Sequence, residues 1–205
     1  MCLNNWGGID HKVLEFHEYV NLFSGKSGSG KSTVMDAIQV ILYGSFSPSF
    51  LNKAADDAKN RRSVLSYLRG EQKDGSANRR DCDFCSVIAL EIEDTGTHII
   101  TCIGIAFEVR KSDSEIKKFV YFSHSGKMPT SGYLTEQGVC YSNQEIKKLV
   151  SARTKSDDNR GKGEVNRIYG SKEAYLGTLY DVILGYIDQN RFITMEKSAI
   201  ALKMT

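Results

Sequence analysis

The chain has 205 residues, 40% hydrophobic and 25% charged, with a net charge of +2, which is ordinary for a globular protein of one large or two small domains and gives no global attraction to nucleic acid. No apolar stretch approaches the ~20 residues of a membrane-spanning helix, and the opening Met1-Cys2-Leu3-Asn4-Asn5-Trp6 is not a secretory signal. Five irregularly spaced cysteines argue against a disulfide framework, so a reducing cytoplasm and no membrane partner are expected.

In chain order, a first strand is predicted over Cys2 to Asn5, a turn at Gly7-Gly8, and a second strand over Lys12 to Phe16. Asn21-Leu22-Phe23 reads as the end of a third strand. It leads into Gly25-Lys26-Ser27-Gly28-Ser29-Gly30-Lys31-Ser32, followed by Thr33, which fits the phosphate-binding pattern G-x-x-x-x-G-K-[ST] at every fixed position. Behind it, Val34, Ala37, Ile38, Ile41 and Leu42 recur at helical spacing. Strand, glycine loop and helix together make a phosphate cradle. The glycines permit the tight backbone, successive N–H groups form a nest for anionic oxygens, and the helix adds its unpaired N–H groups and the positive end of its dipole. Lys31 is expected to reach the β- and γ-phosphates, Ser32 to offer its hydroxyl to Mg²⁺, and Thr33 to bond an α-phosphate oxygen. ATP and Mg²⁺ are the expected ligands.

After the helix, Gly44 to Pro48 ends the regular structure, and Asn52 to Asn60 is polar. Val64, Leu65 and Leu68 suggest a short helix, and Glu71 to Asp81 has the composition of an exposed loop. From Phe84 on, Phe84, Ser86, Ile88, Leu90 and Ile92 alternate with Cys85, Val87, Ala89 and Glu91, as in a strand. A turn at Asp94-Thr95-Gly96 leads to a long strand over His98 to Arg110, and a third covers Phe119 to Ser123. Gly126 to Gly138 is a connector. Ser142-Asn143-Gln144-Glu145 is a capping box for a helix carrying Ile146, Leu149 and Val150. Ser151 to Glu164 has a flexible composition. Ser171 caps a helix with Tyr175, Leu176, Leu179, Val182 and Ile183 on one face, and helix is expected from Phe192 onward. The chain is thus an α/β unit spanning 1–205: a phosphate-loop core over about 1–70, an antiparallel β meander over about 82–124, and a helical part over about 140–205.

Several features admit two readings. Cys82-x-x-Cys85 invites zinc, yet no second close pair exists, and strand cysteines are more often small apolar fillers. Trp6 belongs either to the core or beside an adenine. The basic pairs Arg61-Arg62, Arg79-Arg80, Lys117-Lys118 and Lys147-Lys148 are better read as solvated surface than as phosphate contacts. A nucleotide hydrolase also needs an apolar strand ending in a metal-binding acid. Val182 to Asp188 fits a helical period instead, so Asp188 is read as a post-helix residue, and no catalytic residue is assigned. The chain is expected to hold nucleotide but to cleave it poorly.

Leu3-Asn4-Asn5-Trp6-Gly7-Gly8-Ile9 is similar to the opening of MukB-like condensins, and Ser32 to Ile38 followed by Leu42-Tyr43-Gly44 resembles the first helix of that SMC superfamily. Phe50 to Ala55 and Arg62 to Gly70 resemble the JetC family, the condensin-like ATPases of bacterial Wadjet anti-plasmid systems. Tyr169 to Leu176 and Ala199 to Lys203 are compatible with the end of that family's N-terminal head lobe.

The resemblance implies a P-loop NTPase fold of ABC/SMC type in which this chain is the N-terminal half of a split ATPase head. The metal-binding acid and signature loop would lie on a C-terminal lobe beyond a coiled coil. It further implies dimerisation of heads around ATP, kleisin, KITE and nuclease subunits, and DNA loop extrusion for plasmid defence. A Gln loop is implied, with Gln137, Gln144 and Gln189 as candidates, and an arginine on the nucleotide, for which Arg61, Arg62 and Arg69 are candidates. The alternative is a self-contained P-loop kinase acting on a nucleotide or small molecule.

Overall fold

The computed structural model describes residues 1–26, 28–47, 51, 63–71, 79–157 and 165–183. Ser27, Arg61, Arg62, Asp188, Gln189 and the helix expected from Phe192 lie outside the described residues.

Six strands form one antiparallel sheet in the order β2-β1-β3-β4-β5-β6. They are β1 (Cys2–Trp6), β2 (Ile9–Val13), β3 (Phe84–Glu93), β4 (Ile100–Val109), β5 (Lys118–Ser125) and β6 (Arg167–Tyr169). The helices are α1 (Lys31–Tyr43), α2 (Val64–Arg69), α3 (Asn143–Asp157) and α4 (Lys172–Thr178), the last continuing into a wide π turn over Leu179–Ile183.

The sheet is covered on both faces, which explains why β3 and β4 carry nearly unbroken apolar runs. Ile88, Ile103, Ile105 and Phe107 pack with Ala37, Val40 and Ile41 of α1, Leu68 of α2 and Tyr175 of α4. On the opposite face Val87, Ala89, Ala106 and Phe122 meet Tyr133 and Cys140 and the α3 residues Ile146 and Val150. The two alternating sets in β3 thus serve two cores.

Helix α1 is fixed at both ends. The last carbonyls of a helix have no partner within it. Here tyrosine hydroxyls supply them: Tyr175 donates to the Ile41 carbonyl at 2.9 Å, Tyr180 to Leu42 at 2.9 Å and Tyr121 to Gly44 at 2.7 Å. At the other end the Trp6 indole N–H donates to the Thr33 carbonyl at 2.9 Å. Trp6 is fully buried against Tyr67 and Phe107, so it is a core residue.

Four expectations need correction. The second strand starts at Ile9, because Gly7-Gly8 is a two-residue turn whose flanking residues Trp6 and Ile9 already pair. No strand forms at Asn21 to Phe23. Tyr19, Val20 and Leu22 are 87%, 76% and 89% exposed, and no neighbouring strand among the described residues offers them a ladder. Residues 151–157 are helical, extending α3, because Val150 is buried in the core and Arg153 reaches the Lys127 carbonyl at 3.2 Å. Arg80, placed by its sequence context in an exposed loop, is 8% exposed. Strand β6, only three residues long, carries no readable period in the sequence.

The second core contains a fully buried histidine. His124 receives the Tyr133 hydroxyl on Nε2 at 2.9 Å and donates from Nδ1 to the Ser125 carbonyl at 3.0 Å. Burial, helped by the Arg153 charge, lowers its pKa from the ordinary value, against the Ser125 carbonyl and Glu91. The unfolded chain therefore binds this proton more readily. The stability carried by neutral His124 is complete above about pH 6.5 and is lost as pH falls through the window below it. Melting temperature is expected to drop between pH 7.5 and 5.5, and His124→Gln to flatten that dependence; an equally steep profile in the variant would refute the assignment.

Candidate functional site

The described residues of 25–33 have the conformation and hydrogen bonding that a phosphate cradle needs. Gly25, Gly28 and Gly30 have φ of 150°, 83° and 88°, a region that side chains disfavour. At Gly25 a Cβ would lie 2.6 Å from Ser29 Oγ. The Ser29 amide closes a turn on the Lys26 carbonyl at 3.2 Å, and the Val34 amide makes an early α1 bond to Gly30 at 3.1 Å. Lys31 folds back over the loop: its ammonium donates to the Gly25 carbonyl at 2.5 Å, the Lys26 carbonyl at 3.0 Å and Ser29 Oγ at 3.3 Å.

The N-terminus of α1 differs from the other helix starts. Ser63 Oγ accepts from the Ser66 amide at 3.1 Å, and Ser171 Oγ from Ala174 at 3.2 Å. Ser142 and Glu145 make the reciprocal capping box, at 3.3 and 2.7 Å. Helix α1 has Gly30 as its cap residue, no side-chain cap and no acidic residue in its first turn. Among the described residues no side chain caps its leading N–H groups, which with the helix dipole suit an external anion.

Beside the loop lies a groove of about 470 Å³ between β2 and the start of α1. Its lining joins the apolar Ile9, Leu14, Phe23 and Val34 to Asp10, Lys12, Ser29, Gly30 and Lys31. Apolar walls next to a phosphate cradle suit a nucleoside. A larger groove of about 940 Å³ is lined by Glu15, Glu18, Glu91 and Glu93, and that charge opposes a polyphosphate.

Ser32 is exposed on the first turn of α1, where its hydroxyl can meet a hydrated Mg²⁺ held mainly by phosphate oxygens. Thr33 is half-buried. Arg69 is committed elsewhere: its guanidinium donates to the carbonyls of Arg110, Lys111 and Asp113 at 3.0, 2.9 and 2.8 Å, stapling α2 to the β4–β5 turn. Gln137 and Gln144 line grooves on the α3 side, away from the loop. Burial, with Glu108 and Glu145, pushes the Cys85 thiol up to about 11, and no cluster of three metal-ligating side chains occurs among the described residues.

Asp10 and Phe23 in the groove, and Arg80 bonded to Asp10, carry no functional motif in the sequence. The only trace of Arg80 was a basic pair at the end of a polar stretch.

Residues 1–58 match a family model described as the P-loop containing region of AAA domain. No curated protein matches the chain. Among the described residues no helix is long and apolar enough to cross a membrane. The chain carries a P-loop nucleotide-binding region of the NTPase type in its N-terminal part, attached to a six-stranded antiparallel sheet.

Proposed function

We propose that this chain is the ATP·Mg²⁺-binding N-terminal lobe of a split ATPase head of the condensin type. The observation that carries the nucleotide assignment is the uncapped start of α1, continuous with a left-handed glycine loop and crossed by Lys31. The split head is favoured by the segment entering that loop. Tyr19, Val20 and Leu22 are exposed to solvent directly before the cradle, where a phosphate-loop protein needs a strand held in a sheet. Strands from a C-terminal lobe would cover them. The similarity to MukB-like condensins and to the JetC family points the same way. With it come the partners of such machines: a second head, kleisin, KITE and nuclease subunits, and DNA whose loops are extruded in plasmid defence.

The purified chain is expected to bind ATP·Mg²⁺ weakly, with almost no phosphate release until the complementary lobe is added. Brisk turnover by the isolated chain would overturn the split head. Transfer of phosphate to nucleosides in the same assay would identify a kinase instead.

A further inference from the structure

We infer that Arg80 is a positioning residue for the phosphate loop. Its buried guanidinium locks the β1–β2 turn, and that turn holds the first turn of α1. The inference rests on the nucleotide assignment above and adds to it a residue outside the loop on which affinity depends.

A guanidinium has five N–H donors in a fixed fork. In Arg80 each donor has an acceptor. Nε donates to Asn5 Oδ1 at 3.1 Å, and Nη1 to the carbonyls of Gly7 and Leu68 at 2.8 and 2.7 Å. Nη2 donates to the Ile9 carbonyl at 2.9 Å and to Asp10 Oδ1 at 2.8 Å. Four of these acceptors belong to residues 5–10 and the fifth to α2, so one side chain ties the turn to the helix packed beside it.

The ionic partner is modest. The Asp10 side chain is 62% exposed, and it is shared with Arg79. A buried charge of this kind is weak evidence for stability, because apolar replacements often match it. What the fork supplies is geometry: carbonyls from two elements held at fixed separations.

That geometry is passed to the loop through two contacts. Gly7 has φ 55°, and a Cβ on it would lie 3.0 Å from Thr33 Cγ2 and 3.0 Å from the Tyr67 ring. The turn backbone therefore abuts the side chain of Thr33 with no room to spare. Next to it, Trp6 bonds the Thr33 carbonyl. Asp10, held by the same fork, lines the groove beside Lys31. Freeing the guanidinium releases the wall against which Thr33, the last residue of the cradle, is set.

The test compares Arg80→Lys with Ile146→Ala, a truncation in the opposite core that touches neither turn nor loop. Lysine keeps the charge but cannot satisfy the fork. Affinity for a non-hydrolysable ATP analogue with Mg²⁺ is measured well below both melting transitions, alongside the emission of Trp6, the single tryptophan. Arg80→Lys is expected to weaken binding about tenfold, the order of one misaligned loop hydrogen bond to a charged phosphate. It should also shift Trp6 emission, whereas Ile146→Ala lowers the melting temperature and binds like the parent.

Parental affinity in Arg80→Lys, or equal weakening in both variants, would overturn the inference while leaving the nucleotide assignment intact. A parent chain that binds no nucleotide overturns both. If Arg80→Lys fails to fold, Gly7→Ala presses on the same contact with Thr33. Weakened binding by that folded variant supports the link, and unchanged binding refutes it.

Discussion

Lys31→Ala is expected to weaken nucleotide binding about 100-fold while leaving the melting temperature within a few degrees of the parent. The magnitude follows from an exchange of partners. In the unliganded chain the ammonium already bonds two loop carbonyls and the Ser29 hydroxyl. A polyphosphate replaces those neutral oxygens with charged ones, and a hydrogen bond to a charged group is worth about 1.5–3 kcal/mol. At 1.4 kcal/mol per decade, one such bond is about 10- to 150-fold in affinity, and a lysine spanning two phosphates reaches the upper end.

The fold loses little, because Lys31 caps no core and its bonds lie at the surface of the loop, and partly exposed substitutions of this sort usually stay within about 0.5 kcal/mol. Titration of the single tryptophan gives the affinity and calorimetry the melting temperature. Retained affinity would remove Lys31 from the site; loss of both affinity and fold would show that the loop is structural. Raising the salt concentration should weaken the parent but barely affect the residual binding of the variant, since the lost interaction is ionic.

The parts of this molecule that the sequence made legible are those whose causes are local. The loop is readable because glycine at 25, 28 and 30 answers a demand for left-handed backbone. The start of α3 is readable because Ser142 and Glu145 satisfy each other across three residues. Strands β3 and β4 are long enough for their composition to speak, although the pattern alone leaves open that both faces are covered.

What escaped depends on distant partners. Asn21 to Phe23 has the composition of a strand, but a strand exists only where a neighbour supplies hydrogen bonds. Arg80 is buried because carbonyls from Gly7, Ile9 and Leu68 converge on it, which no property of residues 79–82 announces. Arg69 was a reasonable candidate for the nucleotide until the β4–β5 turn claimed its guanidinium. In each case the missing information was which backbone groups remain unpaired once the sheet has formed.

The largest effect on stability is expected from a single methyl group in the middle of β4. Gly104 faces the second core, where Ala89 and Ala106 are its small neighbours and the Phe122 ring lies against it. A Cβ there would stand 2.5 Å from the Ile88 carbonyl oxygen and 2.7 Å from Phe122 Cζ. Two terms compete when this glycine becomes alanine. Reduced freedom of the unfolded chain favours the variant by about 0.4–1 kcal/mol. Overpacking disfavours it by about 1–3 kcal/mol, and the upper end applies because the first obstacle is backbone in a paired strand and the second a ring enclosed by its own core.

Overpacking therefore wins, and Gly104→Ala should lower stability by about 2–3 kcal/mol, which for a chain of this size is roughly 4–12 °C in melting temperature. Gly177 provides the opposite case. It lies in α4, nothing stands within 4 Å of its would-be Cβ, and its backbone is not left-handed. Gly177→Ala should raise stability by about 0.5–1 kcal/mol through helix propensity alone. Thermal denaturation of the two variants beside the parent decides the matter. Opposite signs mean that space around the backbone governs these glycines, whereas a Gly104→Ala variant as stable as the parent would show that β3 and Phe122 can move apart, and that the second core is looser than its contacts imply.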